Sequence, residues 1–302
     1  MVDQTTENFD GSPLPTAWAN LTSQGYDPGP LGEQRFFLLG DFGSGKSWLV
    51  GSCPYCLRIS FEERRSANFH ENARRVYVPD DDITLFDRIL AMLEQDAKAH
   101  KRTFQTVAFD ALDGWQALEC KRVIREHNDN QSKKDNPRLI DDVSELGQEG
   151  SGYRKVRNAM LDTLNRVYGW GYGWIVVGHI STKYEHGTKI TDVTCFPSVK
   201  NAIYGPADYL CFMEKAQKSI PQPPRKETKA GKTYEVPLPA KVVQVYQLNT
   251  TLLPRQVHET DLKARVPLPS PLVIPEKDGW ATLQSEYDKS VETARTTLTE
   301  GA

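Results

Sequence analysis

The chain has 302 residues, of which 38% are hydrophobic and 25% charged, with a formal net charge of −3. Its longest apolar runs are strand-sized, which excludes a helical membrane span, and the near-neutral balance confines any nucleic-acid site to a local patch. Five cysteines, an odd number, follow an N-terminus (Met-Val-Asp-Gln-Thr-Thr-Glu) without the basic and apolar regions of a signal peptide. Reduced thiols in a cytoplasm are the expectation. The length suits one large α/β domain with arms, or two small domains.

Residues 1–33 are polar and rich in Gly and Pro, and read as an irregular arm that Trp18 and Leu21 could dock on the core or on a neighbouring subunit. Arg35–Leu39 is an apolar strand. It runs into Gly40-Asp41-Phe42-Gly43-Ser44-Gly45-Lys46-Ser47, which satisfies G-x-x-x-x-G-K-[ST] at every fixed position, and Trp48-Leu49-Val50 then opens a helix. The spacing has a physical purpose. Glycines let the backbone take positive φ and bring its N–H groups close to phosphate oxygens. Lys46 would bridge the β- and γ-phosphates, and the Ser47 hydroxyl would ligate Mg²⁺. The stretch Gly40–Trp48 is therefore expected to bind a nucleoside triphosphate.

Pro54 must end the first helix. Cys53-Pro-Tyr-Cys56 has zinc-ligand spacing but no second pair, so core cysteines at a helix end are the expectation. Leu57–Phe61 alternates as a second strand closed by Glu62-Glu63. Either acid could polarise the water that attacks a γ-phosphate, or both could pair with Arg64 and Arg65 on a solvated turn. Arg75–Val78 is a short strand. A helix follows, with Asp80–Asp82 at its start and Ile83, Phe86, Leu90, Leu93 and Ala97 on its apolar face.

Thr106-Val-Ala-Phe-Asp110 is an apolar strand ending in a carboxylate that would hold the Mg²⁺ shell, in the manner of a Walker B element. The next residue is Ala111 rather than Glu, which disfavours the AAA+ pattern and moves the base to Glu62 or Glu63. Asp113 is a secondary candidate that also suits a helix cap. Tyr153, Val156, Met160, Leu164 and Val167 mark a further helix. Trp174–His179 is a buried strand, and His179 at its tip suits a γ-phosphate sensor or a satisfied core side chain. Residues 181–205 are expected to form a long loop or hairpin that interleaves Lys183, His186, Lys189 and Lys200 with Tyr184, Phe196 and Tyr204, a composition suited to single-stranded nucleic acid or to a solvated loop with no ligand. Ala207–Met213 and Lys241–Leu248 are strands flanking a basic insert at 215–232, which reads as an exposed hairpin tip or a flexible insert. Lys263 and Arg265 follow, and 276–302 is expected to form a tail with a short exposed helix around Leu283–Val291.

Loop, acidic strand tip, Asp-ended strand, His-ended strand and Lys263-Ala-Arg265, in this order over about residues 34–270, resemble the RecA-like P-loop ATPases. Within them the chain is most similar to compact phage ATPases of recombination and single-strand annealing. The resemblance implies an α/β fold with a mostly parallel central sheet flanked by helices and antiparallel C-terminal strands. With the flanking segments read from their own residues, the chain is organised as an arm (1–33), a core (34–275) and a tail (276–302), and the arm and the 215–232 insert have no counterpart in the family. It implies ATP and Mg²⁺ as ligands, with Lys46 on phosphate, Ser47 and Asp110 on the metal and Glu62 as the base. His179 would be the switch residue, and Lys263 and Arg265 would reach a neighbour's γ-phosphate. The partners it implies are single-stranded DNA, further copies in a ring or filament, and a single-strand-binding or annealing protein, without a membrane and in the cytoplasm of a bacterial host. Another P-loop motor (helicase or packaging ATPase) and a nucleotide-switched scaffold with little hydrolysis are the alternatives.

Overall fold

A computed structural model describes residues 29–63, 72–147, 150–185, 188–229, 232–236, 238–250, 268–275 and 278–300. Trp18, Leu21, Arg64, Arg65, His186, Lys263 and Arg265 lie outside the described residues. β1 (Arg35–Gly40) sits in the middle of the main sheet. Parallel to it run β5 (Gly173–Glu185) on one side and β7 (Tyr209–Ile220) on the other. Beyond β5 come β4 (Thr106–Asp110), β2 (Cys56–Ser60) and the edge strand β3 (Arg74–Tyr77), all parallel. Beyond β7 the sense reverses, with β10 (Lys241–Asn249) and β11 (Leu272–Ile274). The expected α/β fold, mostly parallel with antiparallel strands at its C-terminal side, is what forms.

Each central strand is apolar on both faces, as a parallel sheet covered by helices requires. Phe37, Leu39, Val107, Phe109 and Val176 face one core, together with α2 (Ile83–Lys98), α3 (Leu112–Gln131), α4 (Ser151–Gly169) and α5 (Pro197–Tyr204). Phe36, Leu38, Ala108, Ile175 and Val177 face the other, together with α1 (Lys46–Gly51). The start of α2 is fixed by Asp82, whose carboxylate accepts the Leu85 N–H at 2.8 Å. On α3, Trp115 is fully buried and stacks on Phe109 with ring centroids 4.3 Å apart.

One segment differs from expectation. The C-terminal segment does not carry a short exposed helix. It forms α6 (Gly279–Glu300), whose Trp280, Leu283, Tyr287 and Val291 are buried in the second core. Their spacing of three and four residues makes one continuous apolar stripe, and Phe36, Leu38 and Leu49 supply the surface it covers. Of the two forms expected of the basic insert, an exposed hairpin tip or a flexible insert, the hairpin is the one that forms. β7 continues to Ile220 against β10, and a separate antiparallel hairpin, β8 (Arg225–Lys229) with β9 (Lys232–Val236), follows. The segment 181–205, expected as a long loop or hairpin, starts as a hairpin, with β5 running on to Glu185 and pairing with β6 (Thr188–Val193), and α5 follows.

Cys53 and Cys56 are buried and unbridged, as expected of core cysteines at a helix end. Burial, with Cys56 beside it, pushes the Cys53 thiol well above its ordinary value. Among the described residues no helix is long and apolar enough to cross a membrane.

β1 is anchored at its start by Arg35, whose guanidinium makes two 2.8 Å bonds to Asp208 while the Arg35 N–H donates to the same carboxylate at 3.1 Å. The Asp208 carboxylate holds the Arg35 guanidinium above its ordinary value, against an opposing effect of burial. Asp208→Ala would strand a half-buried cation, so a loss of about 1–2 kcal/mol is expected in urea unfolding. A loss below about 0.5 kcal/mol would show that the pair does not anchor β1.

Candidate nucleotide site

The site forms where the parallel strands end. Register places Gly40 opposite His179, Asp110 opposite Val177 and Ser60 opposite Asp110, so the loop after β1, the tips of β2 and β4 and the middle of β5 share one edge. Ligands of open α/β sheets bind at this carboxyl edge.

The loop is held by its own lysine. The Lys46 ammonium is buried and donates to Gly40 O at 2.6 Å and Asp41 O at 2.7 Å, with Ser44 Oγ at 3.4 Å. Gly45 has φ +95°, and a Cβ there would lie 2.8 Å from the Tyr246 ring. At Gly40 a Cβ would lie 2.2 Å from Met213 O, so the glycine pattern has steric as well as conformational causes. This backbone cradle fits a triphosphate, with the N–H groups of residues 43–47 and the Lys46 ammonium as donors. Ser47 is half-buried at the start of α1, and its hydroxyl together with the Asp110 carboxylate is an all-oxygen set that suits Mg²⁺. Asp41, Phe42 and Gly43 are exposed at the outer turn. The expected ligand Trp48 packs elsewhere: its ring stacks on Tyr246 at 6.1 Å and abuts the Gly279 backbone.

Asp110 is buried at the end of β4, and its Oδ2 accepts two bonds from Arg58, from Nε at 2.9 Å and from an Nη at 2.7 Å. Sequence reading passed over Arg58. The available signal was a cation alone inside an otherwise apolar strand, a position that demands a buried counter-charge.

Glu62 and Glu63 separate in space. Glu62 reaches the centre, where its Oε1 lies 3.8 Å from His179 Nδ1, whereas Glu63 is exposed. Asp113, near the start of α3, joins them with Oδ1 3.4 Å from the same nitrogen. Burial pushes the Asp113 carboxyl up, but His179 and the backbone N–H groups of Asp113 and Gly114 outweigh it and hold it below the usual carboxylate value. The His179 imidazole is itself clamped by Phe42 of the loop, stacked 3.9 Å away with a 20° interplanar angle.

A second omission is Lys215. Grouped in sequence with the basic insert, it lies on β7, and a Cβ built on Gly43 would come within 3.7 Å of its Nζ. β7 thus brings a second ammonium beside the phosphate loop. Lys200, expected to help form a basic patch, instead makes an ion pair with Asp192 at 2.9 Å.

Comparison with known proteins gives one family match and a distant structural likeness. A family model described as AAA domain matches residues 32–245. A KaiC-like protein from the hyperthermophilic archaeon Pyrococcus horikoshii OT3 is similar over 82% of this chain and 92% of its own, at 12% identity and a TM-score of 0.36. No curated protein matches the sequence.

A cation beside the loop strengthens phosphate binding through charge-assisted hydrogen bonds. Lys215→Ala should therefore weaken ATP binding roughly tenfold, about 1.4 kcal/mol, in a fluorescent-nucleotide titration, with an unchanged melting temperature. Wild-type affinity would remove Lys215 from the site. Gly45→Ala should lose both nucleotide binding and about 1–3 kcal/mol of stability, because the φ and the Tyr246 ring each oppose a Cβ.

Proposed function

The chain belongs to the AAA-domain family, and on that premise we propose that it hydrolyses ATP with Mg²⁺ at the Gly40–Ser47 loop and couples turnover to single-stranded DNA. Lys46 and Lys215 offset charge on the phosphates, and Ser47 and Asp110 are the residues that would hold Mg²⁺. The metal, when bound, supplies further neutralisation of the triphosphate. Glu62 accepts the proton of the water that attacks the γ-phosphorus, and the bond from that phosphorus to the ADP oxygen breaks. Arg58 fixes the Asp110 carboxylate. His179, gripped by Phe42, follows movement of the loop.

The observation that most supports coupling is the continuity of β5. One strand, Gly173–Glu185, carries His179 in its middle and turns into the β5–β6 hairpin at its end. Lys183 and Lys189 occupy backbone positions in that hairpin opposite Ile190 and Tyr184. A rigid strand can carry a shift at His179 to a nucleic-acid-binding tip a few residues away. Recombination or annealing of the phage type is the setting that fits such coupling. In the same reading Lys263 and Arg265 reach the triphosphate of a neighbouring copy in a ring or filament.

Turnover measured with and without single-stranded DNA tests this. Wild-type protein should be stimulated several-fold, and the stimulation should fall steeply with salt. Lys46→Ala should abolish hydrolysis. Glu62→Gln should keep ATP binding and lose about 10²–10⁴-fold in rate, whereas Glu63→Gln should change it little. Turnover indifferent to DNA, together with an unchanged rate in Glu62→Gln, would overturn both parts of the reading.

A further inference from the structure

Three side-chain atoms meet in the site with the wrong electrostatics for one another. His179 Nδ1, Asp113 Oδ1 and Glu62 Oε1 come from β5, α3 and the tip of β2, and ligand atoms of the three residues all lie within 4.8 Å. Among the described residues no other group of His, Cys, Asp and Glu meets in this way. The His179 side chain is 5% exposed, and its Nδ1 aims at both carboxylates without a hydrogen-bond partner. Asp113 Oδ1 is likewise buried and without one. Two carboxylates brought side by side repel one another, so the arrangement calls for positive charge between them.

A proton on Nδ1 would draw the nearest carboxylate in to about 2.7–2.9 Å, the length of a charge-assisted N–H···O bond. The observed 3.4 and 3.8 Å are longer. Donor atoms on a dication at bond lengths of about 2.0–2.2 Å are held about 3.3 Å apart in a tetrahedral shell. The spacing suits ligands of one metal ion better than partners in a hydrogen bond. The donor set, one imidazole and two carboxylates, selects the chemical class. Mg²⁺ prefers an all-oxygen octahedron, whereas imidazole with carboxylate suits Zn²⁺, Co²⁺ or Mn²⁺. The ring is also pre-oriented, because the Phe42 stack fixes its plane.

We propose that Glu62, Asp113 and His179 form a binding site for a divalent transition metal, separate from the Mg²⁺ that accompanies ATP. Three protein ligands leave a coordination position open to water. One consequence rests on the ATPase reading: a metal on Glu62 removes the proton acceptor, so Zn²⁺ acts as a brake on turnover. Phe42 places that brake in contact with the phosphate loop.

The binding test needs neither nucleotide nor turnover. Co²⁺ and Zn²⁺ are titrated into the full chain without ATP, following visible Co²⁺ absorption and competition with a chromophoric chelator. One ion per chain should bind, without a thiolate charge-transfer band, and millimolar Mg²⁺ should not displace it. Asp113→Asn and His179→Gln should each weaken binding at least tenfold, and circular dichroism melts confirm that the variants are folded. A Cys53→Ser, Cys56→Ser double variant should bind metal as wild type does. Absence of a stoichiometric ion, equal affinity in Asp113→Asn and His179→Gln, a thiolate band, or displacement by Mg²⁺ would each overturn the site. Zn²⁺ that binds stoichiometrically yet leaves ATP turnover unchanged would uphold the site and dismiss Glu62 as the base.

Discussion

The parallel pairing of β1 with β5, which sets Gly40 opposite His179, is the constraint from which the site follows. Strands buried on both faces must be mostly apolar along their length, so polar groups collect where the parallel pairing ends, and Arg58 inside β2 is admitted by its pairing with Asp110. Gly40, Ser60, Asp110 and His179 sit at or beside those ends, and register alone brings them to a common edge. A one-residue slip between β1 and β5 would turn alternate side chains toward the opposite core and part the loop from His179. On the other side of β1, Arg35 and Asp208 hold its register against β7 by tying the start of β1 to the residue before β7.

Charge is handled differently at each point along that edge. Lys46 is buried but satisfied by two carbonyl oxygens of its own loop, so the ammonium organises the backbone that is to receive phosphate. Asp110 is buried against Arg58, so the carboxylate is held in place by the adjacent strand. Such pairs are costly to desolvate and are worth most where they fix geometry. At Glu62, Asp113 and His179 two acids and an imidazole converge, a pattern better suited to handling a cation or a proton than to stability.

β5 and β7 both extend past the catalytic edge, by six residues after His179 in one case and by seven after Met213 in the other. Their extensions pair antiparallel with β6 and β10. The nucleotide edge is thereby continuous with two projecting ribbons, and Lys215 reaches the loop because it lies on one of them. A hydrogen-bonded ribbon is stiffer than a loop of equal length, which makes it a suitable lever between the loop and a partner.

The sequence by itself determined the phosphate loop, the core strands to within a residue or two at most of their ends, the Ile83–Lys98 helix and its cap, and the RecA-like order of elements. These are local signals: a glycine-rich spacing, apolar runs of strand length, and three-to-four periodicity. Tertiary structure decided the rest, because each remaining feature depends on a partner distant in the chain. Arg58 needs Asp110, 52 residues away, before its burial makes sense. Glu62 was separated from Glu63 only when His179 and Asp113 met it across three elements. Lys215 looked like part of a basic insert until β7 aligned it beside Gly43. The stripe on Trp280, Leu283, Tyr287 and Val291 is readable as amphipathic. That it is buried depended on the apolar surface of β1 and the loop helix, which no pattern within residues 279–300 encodes.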